Sequence, residues 1–249
     1  MDTFSLVVNW GDGSAPQTFN YAAGTTTFTE THQFLDDNPT VTPSDSYTVS
    51  LTLTDDDTGS DTDSATLTVN NVAPALNNVT ATAAITETEV VTLTGFIAEV
   101  GTQDTFTLTV GWGDGITETF SYPAGTTAFV ETHQYLDDGL LRQLLLANFS
   151  LALTLSDDDS GVITQTVTVV VNNQAPTLSN VAFPAGVDEG DAAALTGNIN
   201  EISPLDTFTL AVDWGDGITE TFNYAAATTA FTETHTYLDD DPTATPSDT

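Results

Sequence analysis

The sequence predicts an all-β chain, built as tandem immunoglobulin-like β-sandwich modules of about seven antiparallel strands each and strung as an extended array of beads. Three observations carry this expectation. Residues repeat at a spacing of 102, with Trp10, Trp112 and Trp214 in register and triplets beginning at Asp2, Asp104 and Asp206 beside them. Within each repeat, apolar and polar residues alternate with a period of two, and Thr fills many of the polar positions, as solvent-facing strand positions favour. Between these runs stand Gly, Asp, Asn and Pro, the residues of turns, and helical periodicity is almost absent.

In the complete repeat, a first strand fits roughly residues 76–84, and Val91 and Leu93 then alternate with Thr92 and Thr94. Phe106, Leu108, Val110 and Trp112 alternate with Thr105, Thr107 and Thr109, the pattern of a half-buried strand. Shorter strands fit 116–121 and 127–133. Phe149, Leu151, Leu153 and Leu155 alternate with Ser150, Ala152 and Thr154, and Val167, Val169 and Val171 with Thr166 and Thr168. Ala-Pro pairs at 73–74 and 175–176 mark repeat starts, giving a partial module at 1–72, a complete one at 73–174 and a partial one at 175–249. Each full repeat is near the commonest domain size, so a row of small cores is expected. The phase of the repeats predicts an excerpt of a longer polymer. The expected partner is therefore the chain itself, continuing head to tail or bundling as filaments.

Certain words recur in this array: WGDG at Trp112 to Gly115, the His133 to Tyr135 triplet, the run from Phe149 into the Asp-rich turn ending at Asp159, and TVVVNN from Thr168 to Asn173. In these features the chain resembles the PKD (polycystic kidney disease) domain repeats and their bacterial relatives. The resemblance covers the whole chain and looks most like the long acidic arrays of bacterial surface and secreted proteins. It implies an immunoglobulin-like sandwich, an extracellular or cell-surface location, and a role as spacer, stalk or adhesive shaft. The family's usual aromatic-Asp-Phe-Gly-Asp-Gly turn is shortened here to Trp-Gly-Asp-Gly, a difference that the fold inference survives better than a functional one.

Charge narrows the setting. There are 36 Asp plus Glu against one basic residue, Arg142, for a net charge of -35, so nucleic acid and anionic membranes would repel the chain. Yet 39% of residues are hydrophobic, too many for a disordered acidic tail. The absence of Cys removes disulfides and thiolate metal sites and leaves the modules in need of another staple. No run of about 18 apolar residues offers a membrane span, and direct membrane insertion is not expected.

The carboxylates concentrate in loops. If the strands run alternately down and up, the turns at 85–89, 111–115 and 136–138 gather at one end of the module with the linker Asn172-Asn173, and those at 99–104 and 157–161 gather at the other. Each junction then collects acids from both sides. Carboxylates with backbone or Asn carbonyls are the hard oxygen ligands that Ca2+ takes, so Ca2+ is the expected cofactor. One junction would draw on Asp12, Asp36, Asp37, Asn70 and Asn71, with Glu99, Asp104, Asp157 and Asp159. The next would draw on Glu87, Asp114, Asp137, Asp138, Asn172 and Asn173, with Glu201 and Asp206. The bland alternative is that these acids are solvated turn residues. An EF-hand is excluded, because Asp61 and Asp63 lack acidic counterparts in the second copy and no helices flank them.

His32, His133 and His235 share one place in the repeat, and a role beside the core suits them better than a ligand or base. The tryptophans read as core or turn anchors, since an exposed Trp stripe would instead make a sugar-binding surface. No nucleophile motif or phosphate-cradling loop appears, and adjacent acids such as Asp137 and Asp138 are not the separated pair that a glycosidase needs, so catalysis is not expected. One segment departs from the repeat: GLLRQLLLAN from Gly139 to Asn148 replaces the polar NPTVTPSD of the first copy. It reads as a lateral contact, a cap on the core, or the product of a compensated frameshift. The expected function is a structural repeat of an extracellular bacterial filament, stalk or adhesin shaft stiffened by Ca2+. The alternative is a polysaccharide- or cell-surface-binding module, or a passive spacer of a large secreted protein.

Overall fold

A computed structural model of the chain describes residues 2–37, 40–139 and 146–238, with the side chains of 146 and 147 left out. The described residues form strands, turns and bends with no helix, an all-β architecture of sandwich repeats. By contact density the chain divides into two compact units. One comprises Met1–Thr80, Leu93–Glu131 and Ser150–Val167; the other comprises Ala81–Thr92, Thr132–Phe149 and Thr168–Thr249. Strands of the central repeat contribute to both.

In the first repeat, β1 (Phe4–Asn9), β2 (Gln17–Tyr21), β3 (Ser44–Asp55) and β4 (Ser60–Asn70) form one antiparallel sheet in the order β2-β1-β3-β4. The alternation in LVV places Leu6 and Val8 inward, each 1% exposed, and leaves Val7 between them on the outer face. Residues 28–34 carry the same alternation but are not strand, and Phe28 is exposed. In the third repeat the equivalent segment, Ala230–Thr236, is a strand paired with Ala192–Asn200.

The central repeat contains β5 (Ala75–Ala81), β6 (Ala84–Thr86), β7 (Val90–Ala98), β8 (Phe106–Gly111), β9 (Thr117–Tyr122), β10 (Ala128–Gln134), β11 (Leu146–Asp157) and β12 (Val162–Asn172). One sheet has the order β10-β7-β5 and the other β6-β12-β11-β8-β9, the two-sheet plan of an immunoglobulin-like module. The expected first strand at 76–84 is broken in two. Thr82 donates its N–H to the Thr92 carbonyl, while the Ala83 carbonyl accepts from Val170, so the chain changes sheet between these residues. After the switch β6 runs parallel to β12, with Ile85 opposite Val171, so the repeat has one more strand than expected and one parallel pair.

Inward-facing residues of both sheets form the core. Val91, Leu93, Leu108, Val110, Trp112, Tyr135, Leu151, Leu155, Val169 and Val171 are each 0% exposed. Full burial of one such aliphatic side chain contributes roughly 1.5–3 kcal/mol. The third repeat contributes β13 (Thr177–Ala182), β14 (Ala192–Asn200) and β17 (Ala230–Thr236) as one sheet, and β15 (Phe208–Asp213) with β16 (Thr219–Tyr224) as another. Asn78 and Asn180 occupy equivalent left-handed positions at φ 50° and 52°, which Asn tolerates better than other side chains, and the register of β13 against β14 shifts there. Of the Leu-rich departure at 139–148, residues 140–145 lie outside the described residues.

Two glycines are fixed by packing. A Cβ on Gly95 would lie 2.6 Å from Cζ of Phe129, and one on Gly197 would lie 2.5 Å from Cζ of Phe231, its cross-strand neighbour. The aromatic ring takes the space a side chain would fill. Gly95→Ala and Gly197→Ala are therefore each expected to destabilise the chain by about 1–3 kcal/mol through overpacking, read as a lower urea midpoint with unchanged slope.

Candidate metal centre

The WGDG turn is held by a recurring set of polar contacts. In the first repeat His32 stacks on Trp10 with centroids 4.8 Å apart, and its Nε2 lies 2.6 Å from Oδ2 of Asp12. In the third, His235 stacks on Trp214 at 4.8 Å and approaches Asp216 at 2.8 Å. Each indole N–H donates across the turn, Trp10 to Gln17, Trp112 to Glu118 and Trp214 to Glu220. Trp112 and Trp214 are buried and Trp10 is half-buried, so the indoles anchor the turn and do not form an exposed stripe. Burial raises the Asp12 pKa, but hydrogen bonds from Ser14 and His32 outweigh it and hold the group at about 2.

These contacts commit Asp12 to His32 and Ser14. Asp114 is exposed and accepts the N–H of Ile116 at 2.9 Å. Neither stands in an acidic group with the other expected ligands. Asn70 ends β4 as an exposed residue, and Asn173 is half-buried. The remaining expected ligands gather in two clusters, each within one compact unit.

The first cluster brings together Asp36, Asp37, Asn71, Glu99, Asp104, Asp157 and Asp159. Its frame is made of backbone. The Leu35 carbonyl accepts the Thr102 N–H at 2.9 Å, which ties the loop of the first repeat to the loop after β7. Tyr47 donates its hydroxyl to the Asp36 carbonyl at 3.2 Å. In the turn between β11 and β12, Oδ1 of Asp157 accepts the N–H groups of Asp159 at 3.1 Å and Gly161 at 2.6 Å, and Ser160 takes a left-handed φ of 74°. From the linker, Asn71 Nδ2 donates to Oδ2 of Asp157 at 2.9 Å and to the Asp159 carbonyl at 3.3 Å. Glu99 is oriented by two N–H donors on Oε1, from Val100 and Gly101, which leaves Oε2 buried without a donor.

The same turn at Asp55 to Gly59 has the same hydrogen bonds, with Asp55 accepting from Asp57 at 3.1 Å and Gly59 at 2.6 Å. There Asp56 and Asp57 are exposed, whereas Asp159 is buried. The difference is the covering linker: a Cβ on Gly161 would lie 2.7 Å from Cα of Ala73 and 2.9 Å from Nδ2 of Asn71, while the nearest atoms to one on Gly59 all belong to the Asp55 side chain.

The second cluster holds Glu87, Asp137, Asp138, Asn172, Glu201 and Asp206. Glu87, in the turn between β6 and β7, is 0% exposed. Its N–H donates to the Asn172 carbonyl at 3.0 Å, and its Oε1 accepts the Gln174 N–H at 2.6 Å. Asn172 Nδ2 donates to the Ile85 carbonyl at 2.9 Å. Ser203 donates its hydroxyl to the Leu136 carbonyl at 3.0 Å, replacing the backbone tie of the first cluster. Glu201 repeats the Glu99 arrangement, with Oε1 accepting from Ile202 and Ser203 and Oε2 buried without a donor. Sequence reasoning missed Ser203 and Gln174, whose backbone and hydroxyl roles leave no compositional trace.

No Lys or Arg lies among the described residues, so none of them opposes these acids with a fixed positive charge. Oδ2 of Asp37, Oε2 of Glu87 and both oxygens of Asp104 are buried with no hydrogen-bond donor. Burial, then the Asp36 carboxylate, and after it Glu99 and Asp157, push Asp104 up to about 7. Burial raises Glu87 to about 7 against the lowering effect of the Gln174 N–H, with Asp206, Asp138 and Glu201 adding repulsion. Asp159 rises to about 6 through burial and then repulsion from Asp37 and its neighbours. Burial first, then neighbouring acids, also raise Asp37, Asp138 and Asp206, and burial dominates the rise at Glu99. Several buried oxygens close together with no donor form a set that a hard divalent cation could complete.

No family model matches the chain, and no curated protein matches it. Among solved structures, it is similar to the tetra-tandem repeat in the extending region of a large adhesion protein, with 16% identity and a TM-score of 0.48. That similarity covers 95% of this chain and 59% of the other, so this chain spans under two thirds of the other's length.

Raised carboxyl pKa values fix the sign of a pH effect. Each such group binds its proton more tightly folded than unfolded, so its stabilising contribution is complete below the ordinary carboxyl range and is lost as pH rises through the folded value. With Asp159 at about 6 and Asp104 and Glu87 at about 7, chelator-treated protein is expected to melt at a lower temperature at pH 8 than at pH 5. Equal melting temperatures at the two values would contradict the buried repulsion. Gly161→Ala is expected to cost about 1–3 kcal/mol in urea unfolding by pushing the linker off the turn, and Gly59→Ala distinctly less.

Proposed function

We propose that this chain is a structural repeat array of an extracellular bacterial filament, stalk or adhesin shaft, in which Ca2+ at acidic inter-module clusters stiffens successive modules. The observation that carries this reading is the pair of buried acids Asp104 and Glu87, whose donor-free oxygens stand among other carboxylates in a chain with one basic residue. An isolated buried carboxylate is too costly to keep charged, and such groups either take a proton or meet a cation. Near neutral pH a divalent ion competes with that proton, and calcium accepts the six to eight oxygens that two loops and a linker can offer together.

The loops do different work in this scheme. Asp36, Asp37 and Asn71 belong to one repeat, and Glu99, Asp104, Asp157 and Asp159 to the next, so an ion held by both sets ties the two covalent segments at one point. Glu87, Asp137 and Asp138 face Glu201 and Asp206 in the same sense. Without the ion, like charges favour separation of these loops; with it, they favour closure. A shaft built this way would hold its form where calcium is plentiful, and the scarcity of Lys and Arg leaves few sites for trypsin-like proteases.

Thermal unfolding of the purified chain with and without EDTA tests the proposal. Ca2+ is expected to raise the melting temperature in a concentration-dependent way, corresponding to about 4 kcal/mol at 1,000 times the dissociation constant for one site, and excess EDTA should reverse it. Melting curves that do not move with Ca2+ would refute it.

A further inference from the structure

Each acidic cluster contains two groups of carboxylates rather than one. In the first, Asp36, Asp104 and Asp159 present oxygens all within 4.8 Å of one another, and Glu99, Asp104 and Asp157 do the same. In the second, Glu87 forms one such group with Glu201 and Asp206 and another with Asp137 and Asp138. A Ca2+ ion sits about 2.4 Å from each ligand, so oxygens on a single ion can be at most about 4.8 Å apart. Each triad meets that condition separately, and the two triads of a cluster meet in one residue.

The shared residues are also among the most deeply buried acids of their clusters. Asp104 is 2% exposed, and neither of its oxygens has a donor. Glu87 is 0% exposed; its Oε2 has no donor, and its Oε1 accepts one N–H, from Gln174, which leaves a second lone pair. A carboxylate with both oxygens able to ligate is the kind that spans two metal ions. The count of charge points the same way. Asp36, Asp37, Glu99, Asp104, Asp157 and Asp159 together would leave most of their charge unmatched by one divalent ion, whereas a pair would offset the larger part.

Resting on the calcium reading above, we propose that each cluster binds a pair of divalent cations bridged by one buried carboxylate, Asp104 in the first and Glu87 in the second. The outer residues then divide between the ions: Asp36 and Asp159 on one and Glu99 and Asp157 on the other in the first cluster, with Glu201 and Asp206 opposed to Asp137 and Asp138 in the second. Loss of a bridge empties both positions, and loss of an outer ligand weakens one.

Native mass spectrometry of the full chain, stripped with EDTA and reloaded with Ca2+, counts the ions directly. Asp104→Asn is expected to lose a pair relative to the unsubstituted chain, and Asp159→Asn and Glu99→Gln a single ion each. Glu87→Gln should remove the other pair and leave the Asp104 pair in place. Far-UV circular dichroism in EDTA checks that each variant is folded, and Asp104→Asn, which removes a buried charge, is expected to melt higher than the unsubstituted chain under those conditions. Equal losses from Asp104→Asn, Asp159→Asn and Glu99→Gln would overturn the bridged pair while leaving the calcium reading intact. No Ca2+ uptake by the unsubstituted chain would overturn both.

Discussion

Burial of negative charge without a positive partner is the constraint around which the rest of the chain is arranged. Ordinary proteins meet a buried carboxylate with Arg, Lys or a row of N–H groups, and each of these answers lowers the cost of desolvation. Here one basic residue serves the whole sequence, and the N–H groups that reach the clusters orient single oxygens of Glu87, Glu99 and Glu201 and both oxygens of Asp157, while both oxygens of Asp104 stay bare. The backbone thus aims the carboxylates without neutralising them. Among the described residues no Lys or Arg stands beside these oxygens.

The sandwich delivers this arrangement by connecting strand ends. Successive turns emerge at the same edges of the sheets, so residues far apart in sequence, such as Asp36, Asp104 and Asp159, arrive together. The two Asp-rich turns make the point in isolation. Their internal hydrogen bonds are the same at Asp55 and at Asp157, and both carry a left-handed residue, Thr58 or Ser160. The second is roofed by Asn71 and Ala73, and there burial lifts Asp159 towards neutrality. Environment, not local chemistry, separates the two turns: Asp56 and Asp57 group with Asp2 as exposed acids, whereas Asp159 is buried among its partners.

A different set of acids stabilises the modules themselves. Asp12 and Asp216 meet histidines stacked on tryptophan, Glu118 and Glu220 accept indole N–H groups, and Glu30, Glu131 and Glu233 accept tyrosine hydroxyls. Each of these carboxylates has a donor beside it. The large negative charge is therefore of two kinds: a satisfied fraction that braces turns and strand faces, and an unsatisfied fraction concentrated in the two clusters. In the second fraction, burial and mutual repulsion favour the protonated form.

The repeat, the strand alternation and the turn residues determined the all-β sandwich, because side chains on a pleated strand must alternate and a repeated pattern must repeat its fold. They also singled out most acids of the two clusters, since loops at the same end of a sandwich lie near one another. Strand order and burial were decided elsewhere. The change of sheet at Thr82-Ala83 and the parallel pairing of β6 depend on hydrogen bonds to Thr92 and Val170. Asp12 and Asp114 look like their acidic neighbours in sequence, yet contacts with His32, Ser14 and Ile116 give them other work. Composition records which groups carry charge; only the folded backbone decides which of them are covered, which receive a donor and which are left facing one another.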